Sequence, residues 1–262
     1  MRLPVRDVAI GIRNLLWGGN VATLGLLRRP MSAVRYASEC LFVKGYLNGR
    51  GMLPQRPVWE VTGHSEPLNI VIDGDAAADW FMNTASFTVD LTSLCMICRI
   101  VNPKIIFEIG TLLGSSTLHL ACNSPQAQVF TLDLPPGGKA LLNTTAADHW
   151  YIDSSQATPR TYFEGKSEAS QITRLYGDSA EFDFTPWRGR VDFFFIDGAH
   201  SYSYVRNDTL KALECCHKGS VIAWHDYGRF GVNGVSRWLH EFASQGHPIY
   251  RAPGGSLAYL IL

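Results

Sequence analysis

The residues able to do chemistry sit where apolar runs stop. KIIFEIG (104–110) ends in Glu108, Ile109 and Gly110, QVFTLDL (128–134) carries Asp133, and ITRLYGD (172–178) ends on Asp178. VDFFFIDG (191–198) gives Asp197, with His200 just beyond it, and SVIAWHD (220–226) closes on His225 and Asp226. Runs of this length and apolarity read as strands buried on both faces. Open α/β sheets bind ligands beyond the carboxyl ends of their strands. Five carboxylates and two imidazoles are therefore expected around one cleft.

The first of these turns, EIGTLLGSS, narrows the ligand. Gly110 and Gly114 allow the backbone to come close, and Ser115 and Ser116 can cap the helix that follows. A dinucleotide site would instead carry G-x-G-x-x-G and lay a pyrophosphate on the helix N-terminus. Glu108 would repel a pyrophosphate, but it can orient a positively charged amino-acid moiety. Asp133 is placed to accept the hydroxyls of a ribose. Together these residues favour S-adenosylmethionine over NAD, and a Rossmann-like NAD oxidoreductase is the alternative that the glycine pattern disfavours.

The elements that must position these groups follow from the same runs. Helices are predicted near 115–122, over SYSYVRNDTLKALECCHKG ending near Gly219, and over GVSRWLHEFASQG (234–246). PIYRA and SLAYLIL form a hairpin around Pro253, Gly254 and Gly255, which leaves the last strand antiparallel. Strands alternating with crossover helices give a parallel sheet with right-handed connections. The expected fold is α/β, a Rossmann-like doubly wound seven-stranded sheet with an antiparallel last strand, occupying residues 84–262. Residues 1–83 read as a mainly helical extension, broken at Pro54 and Pro57 and holding one extended run, LNIVIDG (68–74). That extension is expected to serve in oligomerisation or as a lid over the substrate. The irregular stretch at 135–170 has the length of a lid or binding loop.

Composition bounds the partners. Net charge is zero over 262 residues, which gives no reason to expect a nucleic-acid binder. The charge is uneven, since residues 1–50 carry eight Arg or Lys against two Asp or Glu. Val8, Ile12, Leu15 and Leu16 fall on one helical face, which suits docking on the chain's own domain or on a second copy better than a membrane surface. Asp7, Arg13, Asn14 and Asn20 interrupt any signal-peptide core, so a cytoplasmic protein is expected, and the amphipathic N-terminus makes a homo-oligomer the expected assembly. Cys95 and Cys98 form a CxxC inside the helical run VDLTSLCMICRIV, with no second ligand pair to complete a zinc site. They read as buried thiols, and the adjacent Cys215 and Cys216 as small hydrophobes.

IFEIGTLLGSSTLHLA, TLDLP, YGDS, VDFFFIDGAHSY and GSVIAWHDYG, in that order, resemble the class I S-adenosylmethionine-dependent methyltransferases, in particular the sugar and macrolide O-methyltransferases and cephalosporin-hydroxylase-like proteins. The resemblance spans roughly residues 84–262. It implies a transferase whose cofactor pocket is lined by Glu108, Gly110, Gly114, Ser115, Ser116, Asp133, Asp178 and Asp197. It also implies a divalent cation, Mg, Mn or similar, on Asp197, His225 and Asp226, with His200 as general base. His225 departs from the family, which has a carboxylate there; two carboxylates and an imidazole suit Mn, Fe or Zn, whereas Mg prefers oxygen. A bound cation is expected to keep the His200 imidazole neutral. The acceptor implied is a small molecule, a hydroxyl of a sugar or glycoside. A methyltransferase-like subunit without catalysis is the second alternative, and Asp197, His200 and Asp226 argue against it. Tyr202, Tyr204, Trp224 and Tyr227 flank the same cleft, either to stack on a sugar ring or to pack.

Overall fold

The computed structural model describes residues 16, 52–83, 85–145, 147–149, 152, 160–229 and 232–262. The amphipathic face at Val8, Ile12 and Leu15 lies outside them, as does Cys40. Seven strands form one sheet: β1 Ile105–Ile109, β2 Gln128–Asp133, β3 Ile172–Tyr176, β4 Val191–Ile196, β5 Cys216–Trp224, β6 Tyr250–Arg251 and β7 Ala258–Ile261. Their order is β3-β2-β1-β4-β5-β7-β6. The first five pair in parallel, and β7 runs antiparallel to both β5 and β6. The strand order reverses between β1 and β4, which makes their carboxyl ends the switch point where such sheets open a crevice.

The central strands carry apolar side chains on both faces, and helices cover both. Phe193 and Phe195 of β4 join Ile106, Val129 and Val221 under Leu94, Ile97 and Cys98 of α3 (Ala85–Val101) and Leu120 of α4 (Ser115–Asn123). The short helices α1 (Val58–Thr62) and α2 (Gly74–Asn83) lead into α3. Phe194 and Ile196 turn the other way, toward Val205 and Ala212 of α5 (Tyr202–Cys215) and Trp238, Leu239 and Phe242 of α6 (Asn233–Ser244). Alternate positions of one strand thus feed two cores, as the period of two requires. The Oγ1 of Thr209 accepts the indole N–H of Trp224 and of Trp238, both at 2.9 Å, and so joins α5, β5 and α6.

Two expectations shift. The helix read as ending near Gly219 stops at Cys215, and β5 begins at once at Cys216. Ser220 Oγ binds Val191 O at 2.7 Å, so the 217–219 stretch is drawn into the sheet rather than left as a cap. Tyr227 is buried and its hydroxyl accepts the N–H of Leu53 at 2.9 Å; Tyr202 packs edge-on against Trp238; Trp224 is wholly buried. These three rings pack, and Tyr204 alone of the four reaches the cavity described below. Cys95, Cys98, Cys215 and Cys216 are buried, free thiols, and burial pushes Cys98 up to about 12. Among the described residues, no helix is long and apolar enough to cross a membrane.

Candidate active site

A cavity of about 240 Å³ opens over the carboxyl ends of β1, β2, β4 and β5. Its wall includes Gly110, Ser115, Ser116, Asp133, Asp178, Asp197, His200, His225 and Asp226. Two predicted positions stand elsewhere. Glu108 is fully buried below the wall, where Ser116 and Thr131 donate to its carboxylate at 2.6 and 2.7 Å and Thr117 at 2.5 Å. Burial raises its pKa to about 7, against the pull of those hydroxyls. Glu108 is joined to the cavity wall by its bond to Ser116 at the start of α4. Gly114 starts that helix with φ 73° and packs under the ring of Phe163.

Gly110 shows why its turn needs a glycine. Its φ is 103°, and a Cβ there would lie 2.2 Å from the carbonyl oxygen of Asp197. The ends of β1 and β4 touch at this point, which brings the first turn and the Asp197 turn into one cleft. Asp133, at the end of β2, accepts the N–H of Leu112 and of Leu134, each at 2.8 Å, and burial raises its pKa. Asp178 accepts the Tyr204 hydroxyl at 2.5 Å and the N–H of Leu141 at 2.8 Å. It therefore ties the stretch after β2 to the cavity rim.

Across the cavity, Asp197, His225 and Asp226 converge. His225 Nδ1 is 3.0 Å from Asp197 Oδ1 and 3.5 Å from Asp226 Oδ1, and one donor atom of each lies within 4.8 Å of the others. Donors about 2.1 Å from a common ion stand roughly 3–4 Å apart, the range of the two His225 distances, and two carboxylates with an imidazole are a donor set of the kind that holds a divalent cation. Asp226 takes φ 61°, uncommon for a residue with a side chain and typical of functional turns. Burial would lower the His225 pKa, but Asp197, Asp226 and Asp90 outweigh it and hold the imidazole well above its usual range. Burial would raise Asp226; the neighbouring imidazoles and Arg229, 2.9 Å away, hold it far below the carboxylate range.

His200 lies beside this group, on the turn that leads from β4 into α5. Its Nε2 is 2.7 Å from Asp226 Oδ2 and its Nδ1 is 2.6 Å from Asp148 Oδ1, which also accepts the His200 backbone N–H at 3.0 Å. Burial pulls the imidazole pKa down, and the two carboxylates reverse this and raise it to about 10. The neutral imidazole expected from sequence is thus not what the protein's own groups favour. Asp148 is the residue that sequence reasoning missed. It sits in the 135–170 segment, on a helical turn at 147–149, and no motif marks it. The length of that segment was the only signal, since Ala140, Thr144, Asp148 and Ile152 all reach the cavity wall.

The sequence family described as a methyltransferase domain matches residues 107–227. No curated protein matches the chain. Among solved structures, the chain is similar to the O-methyltransferase TomG from Streptomyces achromogenes, involved in tomaymycin synthesis and solved in complex with SAM; identity is 17%, with 77% of this chain and 96% of that one covered and a TM-score of 0.47. It is also similar to an O-methyltransferase from Bacillus cereus in complex with SAH, at 16% identity over 78% and 96% of the two chains with a TM-score of 0.47. The SAH-bound methyltransferase PaMTH1 of Podospora anserina gives 16% identity over 74% and 90%, with a TM-score of 0.49. Likeness at this level adds nothing to the sheet order, which speaks for itself. The match to the methyltransferase-domain family covers residues 107–227, which carry β1 to β5 and the polar strand ends that line the cavity.

Proposed function

We propose that the protein is an O-methyltransferase that moves a methyl group from S-adenosylmethionine to a hydroxyl of a small glycosylated or polyhydroxylated acceptor. The observation that carries this reading is the meeting of His200 with Asp197, His225 and Asp226 on one wall of the cavity, opposite Asp133. Asp133 and Asp178 bind the ribose and adenine side of the cofactor, and Gly110, Ser115 and Ser116 let its amino-acid end approach the backbone. Asp197, His225 and Asp226 would hold a divalent cation, which would supply stabilisation of charge on the acceptor oxygen. His200 takes the hydroxyl proton. A sulfonium-activated methyl group needs little from the protein beyond alignment and deprotonation. A cation held by Asp226 would weaken that carboxylate's pull on the imidazole and so favour the neutral ring, against the pull of Asp148 at Nδ1.

Residues 84–262 form the catalytic domain in this reading, and residues 1–83 an extension that shapes the acceptor side and supports a homo-oligomer. The free thiols Cys95, Cys98, Cys122, Cys215 and Cys216 are compatible with the reducing cytoplasm. Transfer of label from methyl-labelled S-adenosylmethionine to a panel of small glycosides tests the activity. His200→Ala should lower that turnover by about 10²–10⁴ while calorimetric affinity for the cofactor stays unchanged. Turnover surviving in His200→Ala, with thermal stability reduced, would make His200 structural.

A further inference from the structure

The departure at His225 has a counterpart in the fold. An imidazole that ligates a metal through one nitrogen usually gives its other N–H to a carboxylate or carbonyl, which fixes the ring and strengthens the donor. A carboxylate at position 225 would need no such partner on its far side. His225 turns Nδ1 toward Asp197 and Asp226, and its Nε2 lies 3.4 Å from Oδ2 of Asp90. Asp90 is on α3, only 1% exposed, and belongs to none of the strand ends that build the cavity.

Asp90 is held rigidly. Its Oδ1 accepts the N–H of Ser256 at 2.7 Å and of Leu257 at 2.9 Å, and its Oδ2 accepts the Ser256 hydroxyl at 2.7 Å. A Cβ at residue 255 would sit 1.9 Å from Oδ1, so only glycine at that position admits the carboxylate. The turn between β6 and β7 therefore clamps Asp90, and Asp90 presents a fixed oxygen to the back of the imidazole. We infer that Asp90 is a positioning residue for the cation: it orients His225 to ligate through Nδ1 and biases the site toward ions that accept nitrogen, Mn over Mg. This rests on the cation reading above and extends it to a residue outside the ligand set.

Calorimetry with MnCl2 and with MgCl2 on the full chain tests it without any acceptor. The unsubstituted protein should bind Mn more tightly than Mg. Asp90→Asn should weaken Mn by about 10–100-fold, whereas Ser256→Ala, which loosens the same clamp but leaves the Asp90 carboxylate behind the ring, should stay within about twofold. In a His225→Ala background, Asp90→Asn should cost no further Mn affinity. Equal Mn binding by Asp90→Asn and the unsubstituted chain would overturn the role of Asp90 and leave the cation reading standing; no Mn binding by the unsubstituted chain would remove both. If Asp90→Asn does not fold, pulsed EPR of the Mn-loaded unsubstituted protein decides. A directly coordinated imidazole nitrogen is expected, and bound Mn without nitrogen coupling would refute the inference.

Discussion

At the scale of single residues, Asp133 is the sharpest case. Its two oxygens already receive backbone N–H groups from Leu112 and Leu134, so its position is fixed before any ligand arrives. Replacing it with alanine removes the acceptor that a ribose diol would meet and leaves those donors without their partner. Asp133→Ala is expected to weaken S-adenosylmethionine by about 1–3 kcal/mol in a titration, with the fold intact. Unchanged affinity would take Asp133 out of the cofactor pocket. Asp148 makes the opposite point. It grips His200 at two atoms, yet it lies in a segment of mixed polar residues with no periodicity, and a lone acid there looks like solvated surface.

At the scale of elements, legibility followed hydrophobic continuity. The central strands β1, β4 and β5 were readable because buried parallel strands are apolar runs, β6 and β7 were readable from the turn at Pro253, Gly254 and Gly255, and the polar groups that end the parallel strands were readable as a set. The end of α5 was not, because Cys215 and Cys216 suit a helix or a strand equally and the Ser220 bond to Val191 is a tertiary contact. Glu108 was read as a cofactor-pocket residue, and its burial below the cavity wall was not legible. A strand glutamate answered by hydroxyls at positions 116, 117 and 131 has partners set by folding, not by spacing. The contact between the β1 and β4 ends can be tested directly. Gly110→Ala drives a methyl into the Asp197 carbonyl, costing about 1–3 kcal/mol for the forced contact and about as much again for the backbone angle. Chemical denaturation should show that loss, and cofactor affinity should fall with it, because both halves of the cleft meet there.

At the scale of the whole molecule, buried ionisable groups set how stability follows pH. Burial raises Glu108 to about 7 and Asp208 to about 7. In the unfolded chain such carboxyls titrate near about 4, so the folded state holds extra protons between about pH 4 and 7 and loses stability as pH rises across that window. His200, raised to about 10, contributes stability that is complete below about pH 6.5 and is lost as pH climbs to about 10. Asp148 and Asp226, held low, act in the other direction only in strong acid. The melting temperature of metal-free protein should therefore be higher near pH 5 than at pH 9, measured by calorimetry in matched ionic strength. A melting temperature that rises over this range would contradict the buried carboxyls and the clamped imidazole together.

The turn that clamps Asp90 also bears on how the chain is made. Asp90 and Ser256 are 166 positions apart, and β7 slots between β5 and β6 although it follows both in the sequence. A chain emerging from the ribosome completes β1 to β5 long before residue 256 is available. Until then β5 has an open edge, His225 has no fixed oxygen behind it, and Tyr259 and Leu260 have yet to fill the core. The nascent domain is thus exposed to edge-to-edge pairing between the completion of β5 and the arrival of β7, the condition in which chaperones are needed. The oxygen behind His225 arrives in the same step that closes the sheet.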